Sequence, residues 1–404
     1  MPRFETIDTL SALNEEAAAG TRVLVRGDLN VPMQDGLITD ATRIERLLPT
    51  VMELTKRGCK VIIMSHFDRP KGKVVPKMSL RALLPVLVKI FGGREIAFLE
   101  NPLGDTAKTI VADLPNGSIA LAENLRFFAG EESNDENFAR ALGKLGDVFV
   151  NDAFSVAHRA HASTQGLARI MPAAAGKSMQ LELEALEKAL ANPERPVVAV
   201  IGGAKVSTKL EVLTNLTSKV DRLVVGGAMA NTFLYAQGTT VGASLCEKDM
   251  AEAALVVMNN AAKVGCKLIL PSDVVVAEQL KLGSIGETVH SSAVPPNMMI
   301  LDIGTNTAQA IATELKNCRT VLWNGPLGAF EYPPFDEGTK VVSRAVAELT
   351  AQSKLNSIAG GGDTIAALVS ANTLSRFSYV STAGGAFLEW LEGKELPGVA
   401  ALYG

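Results

Sequence analysis

The segment Val197-Val198-Ala199-Val200-Ile201-Gly202-Gly203-Ala204-Lys205 decides the fold class of this chain. Its first five residues are apolar and mostly β-branched, which predicts a buried strand, and two glycines follow at the carboxyl end of that strand. A strand without polar residues is typical of a parallel sheet that is covered on both faces. The segment therefore indicates an α/β protein, provided that the pattern recurs.

The pattern recurs, because short apolar runs alternate with longer segments of helical spacing. The other strand candidates are residues 22–26, 60–65, 95–99, 118–122 and 147–151 in the first half, and 222–225, 267–270, 298–303, 320–323 and 379–381 in the second. The helical segment 41–57 ends at Gly58, as helices commonly do. This alternation predicts parallel sheets with helices on both faces.

A domain boundary is expected near residues 181–196. The 404 residues suffice for two to three domains at roughly 150 residues each. Residues 180–190 read as one helix, and residues 192–196, which include Pro193 and Pro196, stop it. We expect this helix, residues 181–196 with its linker, to connect a domain at residues 1–180 to a second domain that begins at residue 197. An ordinary crossover helix within one sheet is the alternative.

Composition and charge exclude several function classes. Hydrophobic residues make up 47% and charged residues 20%, which is usual for globular proteins. Lys+Arg 39 against Asp+Glu 43 gives a net charge of -4, so we expect no nucleic-acid partner. The four cysteines form no CxxC pair, which favours a reducing compartment. Without an apolar signal core or a membrane-length apolar run, we expect a cytoplasmic protein with no membrane partner.

Basic side chains follow the predicted strands of the first half at their carboxyl ends, where open parallel sheets bind ligands. They are Arg43, His66, Arg69, Arg126 and Arg159. Guanidinium groups bind carboxylates and phosphates through paired hydrogen bonds, so this group suits a small ligand with several negative charges. Any single arginine among them is better explained by a solvated surface position, and only the whole set favours an anion site.

Glycines follow the predicted strands of the second half. They lie in the segments 202–203, 226–227, 325–328 and 360–362. Glycine lets the backbone approach a ligand closely, and helix N-termini attract phosphate. Together with Lys205, Lys209 and Asp363 they favour a nucleotide site, although neither GxxxxGK[ST] nor GxGxxG is present.

Two features raise the question of a metal. Asp363 at a predicted helix start is suited to nucleotide-bound Mg²⁺, and a plain helix cap is the alternative. His158 and His161 stand three residues apart, which permits zinc geometry, but no third ligand is evident. We therefore interpret the two histidines as structural.

These motifs together resemble those of one family over nearly the whole chain, the phosphoglycerate kinases. The motifs that carry the resemblance lie at residues 26–32, 65–70, 123–127, 151–154, 158–161, 201–206, 323–328, 360–364 and 396–402. One of them alone is weak evidence, but this many in this order are specific.

The resemblance implies two Rossmann-like three-layer α/β/α lobes with parallel sheets, joined by a hinge helix. The first lobe would bind 3-phosphoglycerate, and the second, at residues 197–389, would bind ATP or ADP. Residues 390–404 would form a C-terminal tail that packs back on the first lobe. The implied reaction is the Mg²⁺-dependent, reversible phosphoryl transfer from ATP to 3-phosphoglycerate, giving ADP and 1,3-bisphosphoglycerate, in glycolysis and gluconeogenesis. A monomer is implied as well.

The resemblance also implies roles for particular residues. The expected substrate contacts are Asp28, Leu29, Asn30, Arg43, His66, Phe67, Asp68, Arg69, Arg126 and Arg159. The expected nucleotide contacts are Gly203, Lys205, Lys209, Gly227, Asn324, Pro326, Glu331, Gly361, Gly362, Asp363 and Thr364. Arg43, Lys205 and Lys209 are the expected catalytic residues, and Asp363 is the expected metal ligand.

Two positions depart from the family pattern. Asp68 stands where the family usually has glycine before the arginine, and Asp tolerates left-handed backbone better than most residues. A carboxylate beside the substrate phosphate would weaken binding unless it points away. The segment 302–307 lacks the proline that usually follows Gly304, which concerns local loop geometry.

The implied chemistry needs no general base. A carboxylate nucleophile has a pKa near ~4, so it is already ionised at neutral pH. Catalysis then reduces to positioning and charge stabilisation, which we assign to Arg43, Lys205 and Mg²⁺, with closure of the two lobes bringing the reactants together. The alternatives are a carboxylate kinase with another acceptor and a non-catalytic anion- or nucleotide-binding module. A nicotinamide-dependent dehydrogenase is disfavoured without GxGxxG.

Overall fold

Residues 4–403 are described by a computed structural model and form two compact units. Unit 1 comprises the chain up to Leu183 together with the segment from Glu395 onward, and unit 2 comprises Glu184–Lys394. The outermost residues of the two predicted terminal segments, Met1 to Arg3 and Gly404, lie outside the described residues.

Unit 1 contains a parallel sheet of six strands in the order β5-β6-β4-β1-β7-β8, and a two-stranded antiparallel ribbon, β2-β3. The strands are β1 (Arg22–Arg26), β2 (Met33–Gln34), β3 (Leu37–Ile38), β4 (Lys60–Met64), β5 (Ile96–Leu99), β6 (Ile119–Ala122), β7 (Val148–Asn151) and β8 (Ala173–Ala175). The helices are α1 (Thr42–Lys56), α2 (Leu84–Ile90), α3 (Asp105–Asp113), α4 (Ala129–Glu132), α5 (Glu136–Gly143), α6 (Leu167–Ile170) and α15 (Pro397–Ala400).

The sheet of unit 1 has a hydrophobic core on each face. Val23 and Val25 of β1 pack in one core with residues of α1 and α2. Leu24, which lies between them in the sequence, packs in the other core with residues of α3 and α5. Because successive side chains of a strand point to opposite faces, an uninterrupted apolar strand must be covered on both sides. This produces the predicted α/β/α layering.

Unit 2 contains a second six-stranded parallel sheet, in the order β11-β10-β9-β15-β16-β17, and an antiparallel sheet, β13-β12-β14. The strands are β9 (Val197–Ile201), β10 (Arg222–Val225), β11 (Lys267–Ile269), β12 (Asp273–Ala277), β13 (Glu287–His290), β14 (Met299–Ile303), β15 (Thr320–Asn324), β16 (Asn356–Gly360) and β17 (Tyr379–Ser381). The helices are α8 (Leu210–Thr217), α9 (Ala228–Ala236), α10 (Ala251–Lys263), α11 (Thr305–Leu315), α12 (Glu337–Ala351), α13 (Gly362–Ser370) and α14 (Gly384–Leu391).

The two predicted parallel sheets are confirmed, but the smaller antiparallel sheet was not predicted. The strand expected at residues 298–303 forms as β14, yet it pairs antiparallel with β12. β12 follows β11 after only a short turn, so no helix marks it in the sequence. Its other neighbour, β13, is largely exposed and polar, which hides its strand character.

The predicted connector begins earlier than expected and changes geometry within its length. Helix α7 spans Lys177–Leu186, and a π-helical turn at Glu187–Ala191 follows it. The boundary between the units, after Leu183, therefore falls inside this helix.

Two interactions fix the C-terminal segment in unit 1. The Gly398 N–H donates to the Ala157 carbonyl oxygen at 2.8 Å. Asn151 Nδ2 donates to the Gly398 carbonyl oxygen at 3.2 Å. Within residues 4–403, no helix combines the length and apolar character needed to span a bilayer.

Candidate active site

The carboxyl ends of parallel strands in unit 1 carry the predicted anion-binding residues. Asp28 and Asn30 follow β1, the segment 66–69 follows β4, Arg126 follows β6 and Arg159 follows β7. These four strands are consecutive neighbours in the sheet, so the loops after them lie along one edge. Arg43 joins them from the first turn of α1. We call Arg43, Arg69, Arg126 and Arg159 the arginine cluster.

Asp28 organises the loop after β1 and orients Arg43. One oxygen of its carboxylate accepts the Asn30 N–H at 3.0 Å. The other accepts the Ser155 hydroxyl at 2.5 Å and pairs with Nη1 of Arg43 at 3.0 Å. The same Nη1 donates to the Asn30 carbonyl oxygen at 2.9 Å. These contacts fix one end of a guanidinium that remains 35% exposed, so the other end can meet a ligand.

Asp68 links three other site residues through the turn after β4. Its φ of +54° is left-handed, a region that few non-glycine residues adopt. Its N–H donates to Oδ1 of Asn30 at 2.8 Å, and its own Oδ1 accepts the Arg69 N–H at 2.9 Å. Its carbonyl oxygen accepts Nη1 of Arg126 at 2.8 Å. The expected tolerance of Asp for this turn is therefore realised, and one carboxylate oxygen is engaged by backbone.

Arg126 is the buried member of the arginine cluster. Burial is the main cause that lowers the pKa of its guanidinium, and the positive charges of Arg159 and Arg69 act in the same direction. Glu132 opposes them through an ion pair of 3.3 Å to Nε. Arg69 and Arg159 therefore both lie within electrostatic reach of Arg126. A buried cation beside two others is stabilised by a ligand that brings negative charge.

His66 is buried at the end of β4 and is uncharged at neutral pH. Burial, followed by the charges of Arg26, Arg126 and Arg43, holds the pKa of its imidazole well below the usual range. Two other predicted contacts have side chains that pack in or against the hydrophobic core. Leu29 is fully buried in the core, and Phe67 packs against the same core. For Leu29, the predicted substrate contact can therefore involve backbone only, whereas the half-buried side chain of Phe67 remains partly accessible.

In unit 2, the loops after β9, β10 and β15 interlock through glycine. A Cβ atom on Gly202 would lie 1.8 Å from the Pro326 carbonyl oxygen, and one on Gly227 would lie 2.6 Å from that of Gly203. Gly325 has φ +99°, and a Cβ there would lie 2.1 Å from the Gly202 carbonyl oxygen. The glycines are thus required where three backbone loops meet, in addition to any contact with a ligand.

Lys209 lies beneath these loops as a half-buried cation. Its Nζ donates to the carbonyl oxygen of Gly202 at 2.6 Å, and to Oδ1 and the carbonyl oxygen of Asn324 at 2.6 and 3.1 Å. Burial lowers the pKa of the ammonium group to about 8, with Asp363 acting in the opposite direction. Lys209 thus holds two loops together, and it is near enough to Asp363 to interact with it electrostatically.

The start of α13 presents open backbone next to an exposed carboxylate. A Cβ on Gly362 would meet no atom within 4 Å, whereas Gly361 has φ +101° and lies close to Asn324. Asp363 in the first turn is exposed. Thr364 is buried, and its hydroxyl donates to the Gly360 carbonyl oxygen at 2.8 Å and accepts the Gly325 N–H at 2.7 Å. Thr364 therefore connects two loops, and Gly362 and Asp363 are the accessible positions.

Of the remaining predicted nucleotide contacts, two are exposed to solvent and two are buried. Lys205 and Glu331 are exposed and available to a ligand. Asn324 and Pro326 are buried. The Asn324 amide bonds to Lys209 and, through Nδ2, to the Gly360 carbonyl oxygen at 2.7 Å. Asn324 and Pro326 therefore shape the loops.

Asp363 fits a magnesium ion that arrives with a nucleotide. It offers a carboxylate oxygen, which is the donor that Mg²⁺ prefers, beside a helix N-terminus suited to phosphate. Within residues 4–403, no group of three or more His, Cys, Asp and Glu side chains is placed to hold a metal ion. An ion at Asp363 would therefore take its other ligands from phosphate and water. Among these described residues, His158 and His161 are not part of such a group.

Two elements of these sites were missed by sequence reasoning. Glu247 accepts the N–H and the hydroxyl of Ser207 at 3.0 and 2.6 Å and so fixes the loop that carries Lys205. Arg26 is buried at the end of β1 and contacts His66. The sequence did contain a signal for Arg26, namely a charged residue at the end of an apolar strand. Such a residue is buried only when it has polar or charged partners. No signal pointed to Glu247, which is 40 residues from Ser207.

The fold and the two sites define the class of protein. One parallel α/β unit offers clustered guanidinium groups at its strand ends, and the other offers interlocked glycine loops, two lysines and an accessible helix start with one carboxylate. These are the parts of a kinase that acts on a small anionic acceptor.

Comparison with known proteins narrows the class to one family. The phosphoglycerate kinase family model matches residues 13–394. Phosphoglycerate kinase of Cereibacter sphaeroides is 56% identical over 390 residues, covering 96% of this chain and 98% of that protein. The protein of the same name from Rhodospirillum centenum is 55% identical over 399 residues, covering 99% of each.

Solved structures agree with the sequence relatives. Phosphoglycerate kinase from Coxiella burnetii superposes with a TM-score of 0.91 at 42% identity, over 99% of both chains. The protein of the same name from Pyrococcus horikoshii has a TM-score of 0.75 at 31% identity, over 95% of this chain and 96% of that one. The chain belongs to the phosphoglycerate kinase family, and it is accordingly a transferase of glycolysis.

Proposed function

We propose that this enzyme transfers the γ-phosphoryl group of ATP to the carboxylate of 3-phosphoglycerate, reversibly, giving ADP and 1,3-bisphosphoglycerate. Family membership supports the reaction, and the arginine cluster supports the acceptor. The observation that carries the acceptor assignment is buried Arg126 with Arg69 and Arg159 within electrostatic reach. Such a cluster fits an acceptor that carries a phosphate as well as a carboxylate.

In this proposal, unit 1 binds and orients the acceptor. Arg69, Arg126 and Arg159 hold its charged groups, while Asp28 and Asn30 serve polar groups and fix Arg43. Arg43 has one guanidinium edge engaged by Asp28 and Asn30, which leaves the other edge for the transferring phosphoryl group. The attacking carboxylate is ionised at neutral pH, so none of these residues has to remove a proton.

Unit 2 binds the nucleotide in this proposal. The accessible N–H groups at the start of α13, around Gly362, suit a phosphate, and Lys205 supplies an exposed positive charge. Lys209 adds a half-buried positive charge beneath the loops. Asp363 would hold Mg²⁺, which when bound neutralises charge on the phosphates. Glu331 is exposed and suits hydroxyl groups of the nucleotide.

Catalysis is proposed to rest on proximity and cationic stabilisation. ATP and the acceptor repel each other, so cations must accompany the approach of the reacting oxygen to within about 3 Å of phosphorus. Since the two ligands are assigned to different units, we propose that the units close when both are present, which also excludes water. Small-angle scattering with both ligands, compared with each alone, tests closure. An unchanged radius of gyration would contradict it.

A coupled assay for ADP tests the proposed reaction. With ATP and Mg²⁺, we expect turnover with 3-phosphoglycerate and at most weak turnover with glycerate or acetate, because these lack the phosphate for the arginine cluster. Omission of Mg²⁺ should abolish turnover. Equal rates with glycerate would favour a carboxylate kinase with another acceptor, and no turnover with 3-phosphoglycerate would refute the proposal. We further propose a monomer in the cytoplasm, for which size-exclusion chromatography with light scattering tests the oligomeric state.

A further inference from the structure

A buried charged network lies behind the arginine cluster and is not used by the proposed mechanism. Arg26 is 1% exposed and Glu131 is fully buried. Ser163, also fully buried, lies between them. Its hydroxyl donates to Glu131 at 2.5 Å, its N–H donates to the other Glu131 oxygen at 3.0 Å, and its Oγ accepts Nε of Arg26 at 2.8 Å. Ser163 thus joins a buried carboxyl group to a buried guanidinium.

The other end of Arg26 is directed toward the site. Nη2 of its guanidinium lies 3.0 Å from Nδ1 of His66. Nη1 bonds to the Gly27 carbonyl oxygen and lies 3.4 Å from Oγ of Ser65. Ser65 in turn accepts the Leu29 N–H at 2.9 Å. Each of the three guanidinium nitrogens therefore has a partner in the protein, and the side chain is buried, so Arg26 is not available as a ligand for substrate.

The contact between Arg26 and His66 determines which imidazole nitrogen carries the proton. A guanidinium has only N–H donors and stays protonated in proteins. Nδ1 of His66 must therefore be the acceptor, which leaves the proton of a neutral imidazole on Nε2. We infer that Arg26, held by Ser163 and Glu131, is a positioning residue that fixes His66 as the neutral Nε2–H tautomer, a hydrogen-bond donor for an anionic ligand.

The groups that face His66 favour this neutral form. Arg26, Arg126 and Arg43 add positive charge, and His161 acts in the same direction. An imidazolium would be repelled by the three guanidinium groups and would lose its acceptor nitrogen toward Arg26. With the pKa held well below its usual range, the tautomer persists across neutral pH. The identity of the anion rests on the proposed function, whereas the tautomer can be tested on the protein without ligand.

Nitrogen NMR of the full-length protein labelled with ¹⁵N-histidine tests the inference directly. The chain has four histidines, and the spectrum of His66→Gln assigns the His66 signals by their absence. At pH 7 without ligand, we expect His66 Nδ1 to show the shift of an unprotonated nitrogen and Nε2 that of a protonated one. A protonated Nδ1, alone or as part of an imidazolium, would overturn the inference even if the enzyme has the proposed activity.

The Ser163→Ala variant tests whether the network does the positioning. It removes the hydroxyl between Glu131 and Arg26. We expect the nitrogen shifts of His66 to change to those of a mixture of the two neutral tautomers. Where the proposed function holds, KM for 3-phosphoglycerate should rise on the order of tenfold with KM for ATP unchanged, as for loss of one hydrogen bond to a charged group. Ser343→Ala, which also removes a fully buried hydroxyl but lies in α12 of unit 2, is the matched control and should change neither quantity.

Two results would overturn the role of the network. One is a Ser163→Ala protein that folds with the wild-type His66 spectrum. The other is a change in the spectrum that Ser343→Ala reproduces, since this would indicate a general loss of stability. If Ser163→Ala does not fold, Glu131→Gln takes its place, because the amide retains an acceptor for Ser163 while the charge opposite Arg26 is lost. The same shift toward a tautomer mixture is then expected, and its absence contradicts the role.

Discussion

The carbonyl oxygen of Asp68 accepts a hydrogen bond of 2.8 Å from Nη1 of Arg126. The buried arginine of the site is thus positioned by the backbone of a residue in left-handed conformation. Asp68 contributes to the site in two separable ways. Its backbone orients Arg126, and its carboxylate places a negative charge in a region that is expected to bind an anion.

Asp68→Asn separates these two contributions. Asn tolerates the left-handed turn and can accept the Arg69 N–H, but it carries no charge. We expect KM for 3-phosphoglycerate to fall by up to about fivefold, since exposed charges contribute below about 1 kcal/mol. Asp68→Val, a β-branched residue unsuited to positive φ, should instead lose about 1–3 kcal/mol of folding stability and raise KM. An unchanged KM in Asp68→Asn would show that the charge has no part in binding.

The pH dependence of nucleotide use should report on Lys209. Burial lowers the pKa of this ammonium to about 8, so it is mostly charged at pH 7 and neutral at pH 9. We expect kcat/KM for ATP, which reflects the free enzyme, to fall about fivefold between pH 8 and pH 9, as a single deprotonation requires. In Lys209→Arg, which stays charged, this fall should be absent over the same range. A fall of equal size in the variant would assign it to another group.

Glu247 should affect kcat/KM for ATP and leave KM for 3-phosphoglycerate unchanged. Its carboxylate fixes Ser207, two residues from Lys205, and its own N–H is bonded to Thr232 at 3.1 Å. Glu247→Ala should lower kcat/KM for ATP about fivefold, corresponding to loss of a hydrogen-bonded anchor of about 1 kcal/mol, with KM for 3-phosphoglycerate unchanged. Glu252→Ala, on neighbouring α10, is the control. Equal effects of both substitutions would argue against a specific role.

Asp152 should make the protein less stable as the pH rises from 4 to 6. It is buried, its Oδ1 accepts the Met179 N–H in α7 at 2.9 Å, and burial raises the pKa of its carboxyl to about 6. The folded protein therefore binds this proton more tightly than the unfolded chain. As the pH rises, the free energy of unfolding falls between the pKa of Asp152 in the unfolded chain and its pKa in the folded protein, and it is constant above the latter. The full effect is on the order of 3 kcal/mol.

Asp152→Asn isolates this effect, because the amide retains an acceptor for Met179 and does not titrate. Urea unfolding at pH 4, 5, 6 and 7 should show the variant gaining stability relative to wild type as the pH rises. The comparison between the two proteins is necessary because His161, whose pKa burial lowers to about 4, gives stability the opposite slope between pH 6.5 and 4. A difference between the proteins that is constant with pH would contradict the prediction.

The fold was largely predictable because many of its strands are uninterrupted apolar segments. Segments such as Val197–Ile201 are apolar throughout and are followed by glycine, so both their burial and their sheet type follow from the sequence. β8 (Ala173–Ala175) and β13 (Glu287–His290) were missed because alanine has little strand preference and an exposed strand has no apolar pattern. These are edge strands, where packing against a neighbour decides the conformation.

The site was predictable at the level of residue types and motifs. The sequence could not show that Asn324, Pro326 and Thr364 are buried parts of interlocked loops while Gly362 and Asp363 are accessible, because exposure depends on how separate loops pack. Nor could it show that Ser163 joins Glu131 to Arg26. Such contacts between distant residues are set by the register of the sheet and the packing of the loops after it.

The central claim is that positive charge positioned by unit 1, and not a general base, drives phosphoryl transfer. The rate of ADP formation by Arg43→Ala at saturating ATP and 3-phosphoglycerate tests it most directly, with Arg140→Ala, an exposed arginine of α5, as the control. We predict a fall in kcat of ~10²–10³, comparable to loss of one donor to a developing charge, with unfolding and KM for ATP unchanged and the control at the wild-type rate. A folded Arg43→Ala enzyme with kcat within about twofold of wild type would contradict the account.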